Sequence, residues 1–351
     1  MNHWQIWIDT GGTFTDCLAR DPQGKLHRTK VLSSSKLRGK IESADQKLAR
    51  ISHGWGMQKD IFGGYEFRIP EAGFRSEVVS FKNDRLEIKD PLPGDIVGKD
   101  FQISSGEEAP LLAARLITRT PLDQKFPELK MRLGTTKGTN ALLEHKGDTP
   151  ALIITNGFAD LPLIGNQQRP DLFALNIQKP EPLHKEVLEV DERIDEKGEV
   201  LQSIGDNDLD AIRQFCEKNE LSNVAIATLH SYKNPEHEQR IAKALEEKGV
   251  KYITQSAELS SQIKFQQRTE TAIVNAYLLP VLDAYLDNIR GKIGKLKIMT
   301  SAGGLSPDHL FQPKDSLFSG PAGGVVAASY ISRQTGIDNI ITFDMGGTSS
   351  D

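Results

Sequence analysis

The chain has 351 residues, 38% hydrophobic and 26% charged, with a formal net charge of −5. That is apolar material for about two packed cores, and it excludes a disordered or collagenous chain. Acidic and basic residues are well mixed, which excludes the basic stripe of a nucleic-acid binder and the polybasic segment of an anionic-lipid binder. Only Cys17 and Cys216 are present, which excludes a four-cysteine zinc site and a disulfide framework and points to a reducing compartment. The opening MNHWQIWIDTGG is too short an apolar run for a signal peptide, and no later run approaches the ~20 residues of a membrane span. A cytoplasmic location without a membrane partner is the expectation.

In chain order, Ile6-Trp7-Ile8 is a β-prone run that stops at Asp9 and the glycines of DTGGTFTD, residues 9–16. Cys17-Leu18-Ala19, the turn Asp21-Pro22-Gln23-Gly24 and the return over 26–32 complete a three-stranded meander. Residues 55–105 carry aromatics, prolines and EVVSFKNDRLEIKD with a turn at Asn83-Asp84, and read as a small β-rich insertion. Ser105-Gly-Glu-Glu108 has capping-box spacing ahead of LLAARL, so a helix is expected from there. From 149 onward strands (TPALIIT, NVAIATLH, VKYIT, KLKIMTS) alternate with helices, one from Pro235 and a long one over 265–289 bent near Pro280. This is an α/β pattern with a largely buried sheet. SGPAGGVVAASYI reads as a glycine-rich loop feeding a small-residue helix, and NIITF (339–343) as a strand delivering Asp344 to DMGGTSSD, residues 344–351.

The unit Asp-x-Gly-Gly-Thr-x-x-Asp thus occurs twice, each time after an apolar strand. A tight turn with glycines exposes backbone N–H groups to which phosphate oxygens can come close. Thr13, Thr15 and Thr348 add hydroxyl donors, and the Asp carboxylates suit Mg²⁺ held mostly through water. One such unit is equally well a glycine-rich hairpin. Two facing cradles can grip a nucleotide phosphate chain from both sides.

The segments IDTGGTFTD, LGTTKGTNALLEHKG, TNGFADLPLIGNQQRPDLFAL, VDERI, LHSYKNPEHEQRIA, RTETAIVNAYLLP, SGPAGGVVAA and ITFDMGGTSSD, in this order, resemble the hydantoinase A / 5-oxoprolinase family of the actin-like ATPase superfamily. The resemblance implies two ribonuclease-H-like lobes closing on ATP and Mg²⁺. The ATP is used to open or activate a small cyclic amide such as 5-oxoproline or a hydantoin. Around the β-rich insertion read from the residues at 55–105, it implies a ribonuclease-H-like first part over 1–54, the rest of the first lobe over 106–336, and the start of a second lobe over 337–351. Asp9 and Asp344 become the catalytic pair, Gly11, Gly12, Thr13, Thr15, Gly346, Gly347 and Thr348 the nucleotide cradle, and Asp9, Asp16 and Asp344 the metal carboxylates. A hydantoinase B-like part, fused or separate, is the expected partner, and an oligomer is compatible with the pattern. Ser349-Ser350 replaces the family's more frequent Ser-Thr, and 55–105 matches the family pattern weakly. Because the sequence stops at Asp351, where the second lobe begins, the expectation is the N-terminal part of a longer polypeptide, inactive by itself. A sugar or acyl kinase of the same superfamily and a non-catalytic ATP-gated subunit are the alternatives.

Lys137 in Gly134-Thr-Thr-Lys-Gly138 is a candidate anion or substrate contact, or else a solvated lysine beside a helix cap. Arg169 in NQQRPD is a candidate for a substrate carboxylate, or else a surface arginine. His145, His184 and His230 show no metal-ligand spacing.

Overall fold

The computed structural model describes residues 3–56, 60–167, 173–177 and 179–343, and they form two compact units. The first comprises the described residues of Met1–Asn140, Ala284–Phe311 and Asp315–Asp351. It opens with β1 (Trp4–Thr10), β2 (Phe14–Arg20) and β3 (Leu26–Leu32), an antiparallel meander. The β2–β3 turn forms because the Asp21 carboxylate accepts the Gln23 and Lys25 N–H groups while Gly24 takes φ +90°.

A closed barrel follows, of β4 (Leu37–Asp45), β5 (Leu48–His53), β6 (Glu66–Ile69), β7 (Phe74–Lys82), β8 (Arg85–Ile88) and β9 (Asp100–Ser104), in the order β4-β5-β8-β7-β6-β9. Asn83 and Asp84, at φ 52° and 59°, give the β7–β8 hairpin the primed turn that suits strand twist. The entering strand β4 pairs with the leaving strand β9, Leu37 opposite Ile103. The β-rich segment therefore begins at Leu37 rather than at 55. Closure is the physical reason, since the strands from 66 onward alone would leave two open edges.

Helix α1 (Ala109–Thr118) is buried from Ala109 to Ile117 and packs on β1–β3. It does not start with the expected capping box. Glu108 is the N-cap, with no side-chain cap bond, and Ser105 instead accepts the Glu107 N–H one turn earlier. β10 (Leu129–Thr135) then runs parallel to β1, and α2 (Lys137–Leu143) contributes its first turn to this unit.

The second unit comprises the described residues of Ala141–Asp283 and Gln312–Lys314. Its sheet holds β11 (Ala151–Thr155) and β12 (Val187–Val190). Then come the small hairpin β13 (Arg193–Ile194) and β14 (Val200–Gln202), and the sheet strands β15 (Asn223–Ala227) and β16 (Tyr252–Gln255). The sheet is parallel throughout, in the order β12-β11-β15-β16. β11 and β15 are buried at every position, as a strand covered on both faces requires. Ile153, Val224 and Ile226 meet α4 (Asp206–Lys218) and α5 (Glu236–Glu247), whereas Leu152, Ile154 and Ala225 meet Ala272 and Ala276 of α7 (Phe265–Arg290). Single turns α3 (Leu161–Ile164) and α6 (Ser256–Leu259) follow β11 and β16. The stretch 106–336, expected as the remainder of one lobe, thus contributes to both units.

Back in the first unit, β17 (Lys295–Met299) runs parallel to β10, β18 (Leu305–Pro307) pairs antiparallel with it, and the sheet order is β18-β17-β10-β1-β2-β3. Ile6, Ile8, Cys17, Ala19, Met131, Leu133 and Ile298 all point to its buried side, following the period-two alternation. The glycine-rich segment expected as a loop is helical from Ser319 onward, forming α8 (Ser319–Thr335). Residues 339–343 are not a strand. No described strand pairs with them and Ile341 is 98% exposed, so the backbone pairing that makes an extended run a strand is lacking.

Candidate functional site

Alternation on β1 puts Ile6, Ile8 and Thr10 on the buried side and leaves Asp9 exposed on the other. Its antiparallel partner is Asp16 and its parallel partner is Gly134. A Cβ at position 134 would stand 3.2 Å from Asp9 Oδ1, so the carboxylate lies over a position that has no side chain. Two carboxylates directly opposite each other repel. Lys30, the partner of Asp16 on β3, offsets this with an Asp16 contact of 2.7 Å.

The turn after β1 is held from behind. The Gly11 N–H donates to the Phe14 carbonyl at 3.0 Å, and the Ser33 N–H donates to the Thr13 carbonyl at 2.9 Å. The Ser33 hydroxyl donates to the Gly11 carbonyl at 2.7 Å. Gly12 and Thr13 are exposed at the tip. Thr15 departs from the expectation, being fully buried with its hydroxyl 3.0 Å from Ser33 Oγ. It sits on the sheet side opposite to Asp9 and Asp16, and so braces the turn instead of lining it.

The β10–α2 connection forms a second wall. The Thr136 N–H and hydroxyl both donate to the Thr10 carbonyl, at 3.0 and 3.2 Å. The Asn140 Nδ2 donates to Thr136 Oγ1 at 3.3 Å and lies 3.6 Å from where a Gly12 Cβ would be. Lys137 is exposed at the start of α2, its ammonium 5.6 Å from the centre of the Tyr285 ring. Burial pushes the Tyr285 phenol up to about 12.

Asp9, Gly11, Gly12, Thr13 and Asp16 are thus gathered at one end of one sheet, with Lys137 at the head of α2 on the adjoining strand. Asp344, Gly346, Gly347, Thr348 and Arg169 lie outside the described residues. Among the described residues no three His, Cys, Asp or Glu side chains converge on a metal position. Asp9 and Asp16 supply hard oxygen donors of the kind Mg²⁺ takes alongside water and phosphate, so the residues present fit that ion. Sequence reasoning missed Ser33, Thr136 and Asn140, and gave Gly134 no link to Asp9. Only the parallel pairing of β1 with β10 reveals that link, and a glycine just before a strand-end Thr-Thr was its one visible sign.

The second unit holds a buried polar cluster at the carboxyl ends of its strands. Glu192 accepts from the Thr155 hydroxyl and pairs with His237 Nδ1 at 2.6 Å. Glu238 accepts the Thr228 and Ala257 N–H groups, both at 2.9 Å, and burial pushes its carboxyl up. Arg268 donates to the Thr228 carbonyl at 2.6 Å and to Ser256 Oγ at 3.1 Å. His230 faces the Ile194 carbonyl at 2.7 Å, and His184 is buried, which lowers its pKa. Both cysteines are buried thiols, Cys17 pushed up to about 12 and Cys216 to about 11 by desolvation.

Fold and site together define a mixed α/β protein with a carboxylate-flanked glycine turn at a strand end. The hydantoinase/oxoprolinase N-terminal region matches residues 5–60 and 114–249, and the hydantoinase/oxoprolinase region matches residues 268–351. The chain belongs to the hydantoinase/oxoprolinase family. The 5-oxoprolinase 1 of Arabidopsis thaliana is 37% identical over 286 residues, covering 71% of this chain and 22% of the relative. The 5-oxoprolinase of Saccharomyces cerevisiae is 35% identical over 381 residues, covering 99% of this chain and 25% of its own length. The caprolactamase subunit alpha of Pseudomonas jessenii is 31% identical over 233 residues, covering 62% and 33%. This chain therefore spans about a quarter of the length of the two 5-oxoprolinases. Among solved structures, the ATP-dependent caprolactamase of Pseudomonas jessenii and the nucleotide-free acetone carboxylase of ATP-dependent acetone carboxylation both superpose with a TM-score of 0.62. Identities are 24% and 21%, and each match covers 99% of this chain and 43% of the other, a likeness of fold. No described helix is long and apolar enough to cross a membrane.

Proposed function

We propose that the chain carries the N-terminal ATP-binding region of an ATP-dependent cyclic-amide hydrolase of the 5-oxoprolinase or hydantoinase A type. The carrying observation is the glycine turn at the end of β1, with Asp9 exposed beside it and Gly134 bare beneath the carboxylate. The sheet order, a meander on one side of β1 and parallel strands on the other, supports a ribonuclease-H-like lobe of the actin-like ATPase superfamily. ATP as co-substrate is supported by the two solved neighbours whose titles call them ATP-dependent, and a cyclic amide by the relatives named oxoprolinase and caprolactamase.

In this reading the Gly11 and Gly12 turn with Thr13 cradles phosphate oxygens from one side, and Gly346, Gly347 and Thr348 from the other. Asp9, Asp16 and Asp344 hold Mg²⁺ together with water and phosphate, and the ion supplies charge neutralisation along the phosphate chain. Asp9 and Asp344 orient the reacting groups, while Lys137 and Arg169 contact substrate. An unstrained lactam carbonyl is a poor electrophile. Transfer of the ATP γ-phosphoryl group to the amide oxygen gives ADP and an O-phosphorylated imidate; one water adds at its carbon, the C–N bond breaks with the nitrogen taking up a proton to leave a ring-opened acyl phosphate, and a second water hydrolyses that to the carboxylate and inorganic phosphate. The partner is a hydantoinase B-like part, fused or separate, and the site of action is the cytoplasm. The test is ATP hydrolysis by the full-length parent protein with and without 5-oxoproline, a hydantoin or caprolactam. Stimulation by one of these is expected. Stimulation by a sugar instead would make the protein a kinase, and stimulation by a protein partner alone an ATP-gated subunit.

A further inference from the structure

We infer that Asn140 is a phosphate-binding residue of the β1–β2 turn, a donor supplied by a different part of the chain from the glycines. The inference rests on the proposed nucleotide site and adds a contact to it. Its basis is a chain of oriented hydrogen bonds. The Thr136 hydroxyl spends its one proton on the Thr10 carbonyl at 3.2 Å, so toward Asn140 it can only accept. The group 3.3 Å away must then be the amide NH₂ rather than the carbonyl oxygen, which fixes which way the carboxamide points. The Thr136 N–H shares the same Thr10 carbonyl at 3.0 Å, so the Thr136 end of the relay is anchored to β1 one residue after Asp9.

Nδ2 carries two protons, and the bond to Thr136 uses one. Among the described residues it has no second acceptor. The same nitrogen is the nearest atom to the space above Gly12, 3.6 Å from an ideal Cβ there. A side chain at position 12 would occupy that space. Glycine leaves it open, with the amide of Asn140 on one side and the exposed backbone of the turn on the other. An anion entering the turn from the tip meets donors from both. Asn140 is neutral, so it adds no charge to a carboxylate pair already balanced in part by Lys30, and it discriminates by geometry in favour of oxygen acceptors.

The test is calorimetric titration of the full-length protein with Mg-ATP and, separately, with adenosine. Wild type is compared with Asn140→Ala, Asn140→Asp and Gly12→Val, with a thermal melt of each. The expected result for Asn140→Ala is a loss of ATP affinity of about tenfold or more, the scale of a hydrogen bond to a charged group, with adenosine binding unchanged. Asn140→Asp keeps the size and places a like charge against phosphate, so its ATP loss exceeds that of Asn140→Ala. It also serves as the reporter should the alanine variant not fold. Equal loss for ATP and adenosine means a merely structural role and overturns the assignment. Loss in Gly12→Val without loss in Asn140→Ala or Asn140→Asp overturns it while leaving the glycine turn as the phosphate site. No loss in any variant overturns both.

Discussion

Asp9 Oδ1 lies 3.2 Å from the place a Cβ on Gly134 would take, so two residues on neighbouring parallel strands share one volume that only a glycine leaves to the carboxylate. That separation is tighter than an ordinary contact, so the carboxylate has to give way by a few tenths of an ångström. Gly134→Ala is expected to rotate the Asp9 carboxylate off its position while the sheet remains intact. Because positioning supplies much of the rate in phosphoryl transfer, ATP turnover in the full-length protein should fall by about tenfold or more. Steady-state hydrolysis beside a thermal melt checks this. Wild-type turnover in the alanine variant would show that the carboxylate has room to spare.

Glu107 and Arg115 form a forked ion pair beneath α1, with Arg115 Nη2 at 2.8 Å and Lys292 Nζ at 2.9 Å from Glu107 Oε1. Both members of the Arg115 pair are almost fully buried. Burial raises the Glu107 pKa, but the bonds from Arg115 and Lys292 outweigh it and hold the carboxyl below its ordinary value. The folded state therefore binds this proton less tightly than the unfolded chain. Its contribution to stability is complete above the ordinary glutamate pKa and is lost as pH falls through the depressed folded value. Glu107→Gln leaves a buried guanidinium short of its charge partner, and should cost about 3 kcal/mol at neutral pH. Denaturant unfolding at neutral and acid pH reads both effects. A gap between wild type and variant that widened on acidification would contradict the sign.

The barrel rests on a close strand crossing at Gly39. A Cβ there would stand 2.5 Å from the Ser52 carbonyl and 2.7 Å from the Phe101 ring, distances that packed atoms do not tolerate. Gly39→Ala should loosen β4 against β5 and β9, destabilising the barrel by about 2 kcal/mol as overpacked cores do. Nucleotide affinity should stay at the wild-type level, because none of the residues proposed to hold nucleotide lies in the barrel. Hydrogen exchange over 37–104 together with ATP titration separates the two readouts. A parallel loss of ATP affinity would place the barrel in the nucleotide site after all.

What was legible in the sequence was whatever short-range chemistry dictates. Asp21, Pro22 and Gly24 announce the β2–β3 turn, Asn83-Asp84 the barrel hairpin, and the unbroken apolar runs ALIIT and NVAIA the buried strands of the parallel sheet. What was not legible depends on partners distant in sequence. LRGKIESAD alternates too weakly to show that it closes a barrel with Asp100–Ser104, and nothing local ties Gly134 to Asp9. Thr15 looks like a donor beside a glycine turn, and only the strand's alternation, once its register is fixed, turns it to the buried side. NIITF carries high strand propensity, yet a strand needs a neighbour, and propensity does not provide one.

Whether Asp9 works beside a phosphate-binding turn is tested most directly by ATP turnover of the full-length protein carrying Asp9→Asn. The substitution keeps the shape of the side chain and removes its charge, so the fold, read by circular dichroism and melting temperature, should be unchanged. Turnover should fall by at least about a hundredfold, the scale of losing one electrostatic contribution at a phosphoryl-transfer centre. Turnover within about threefold of wild type, in a folded variant, would contradict the account.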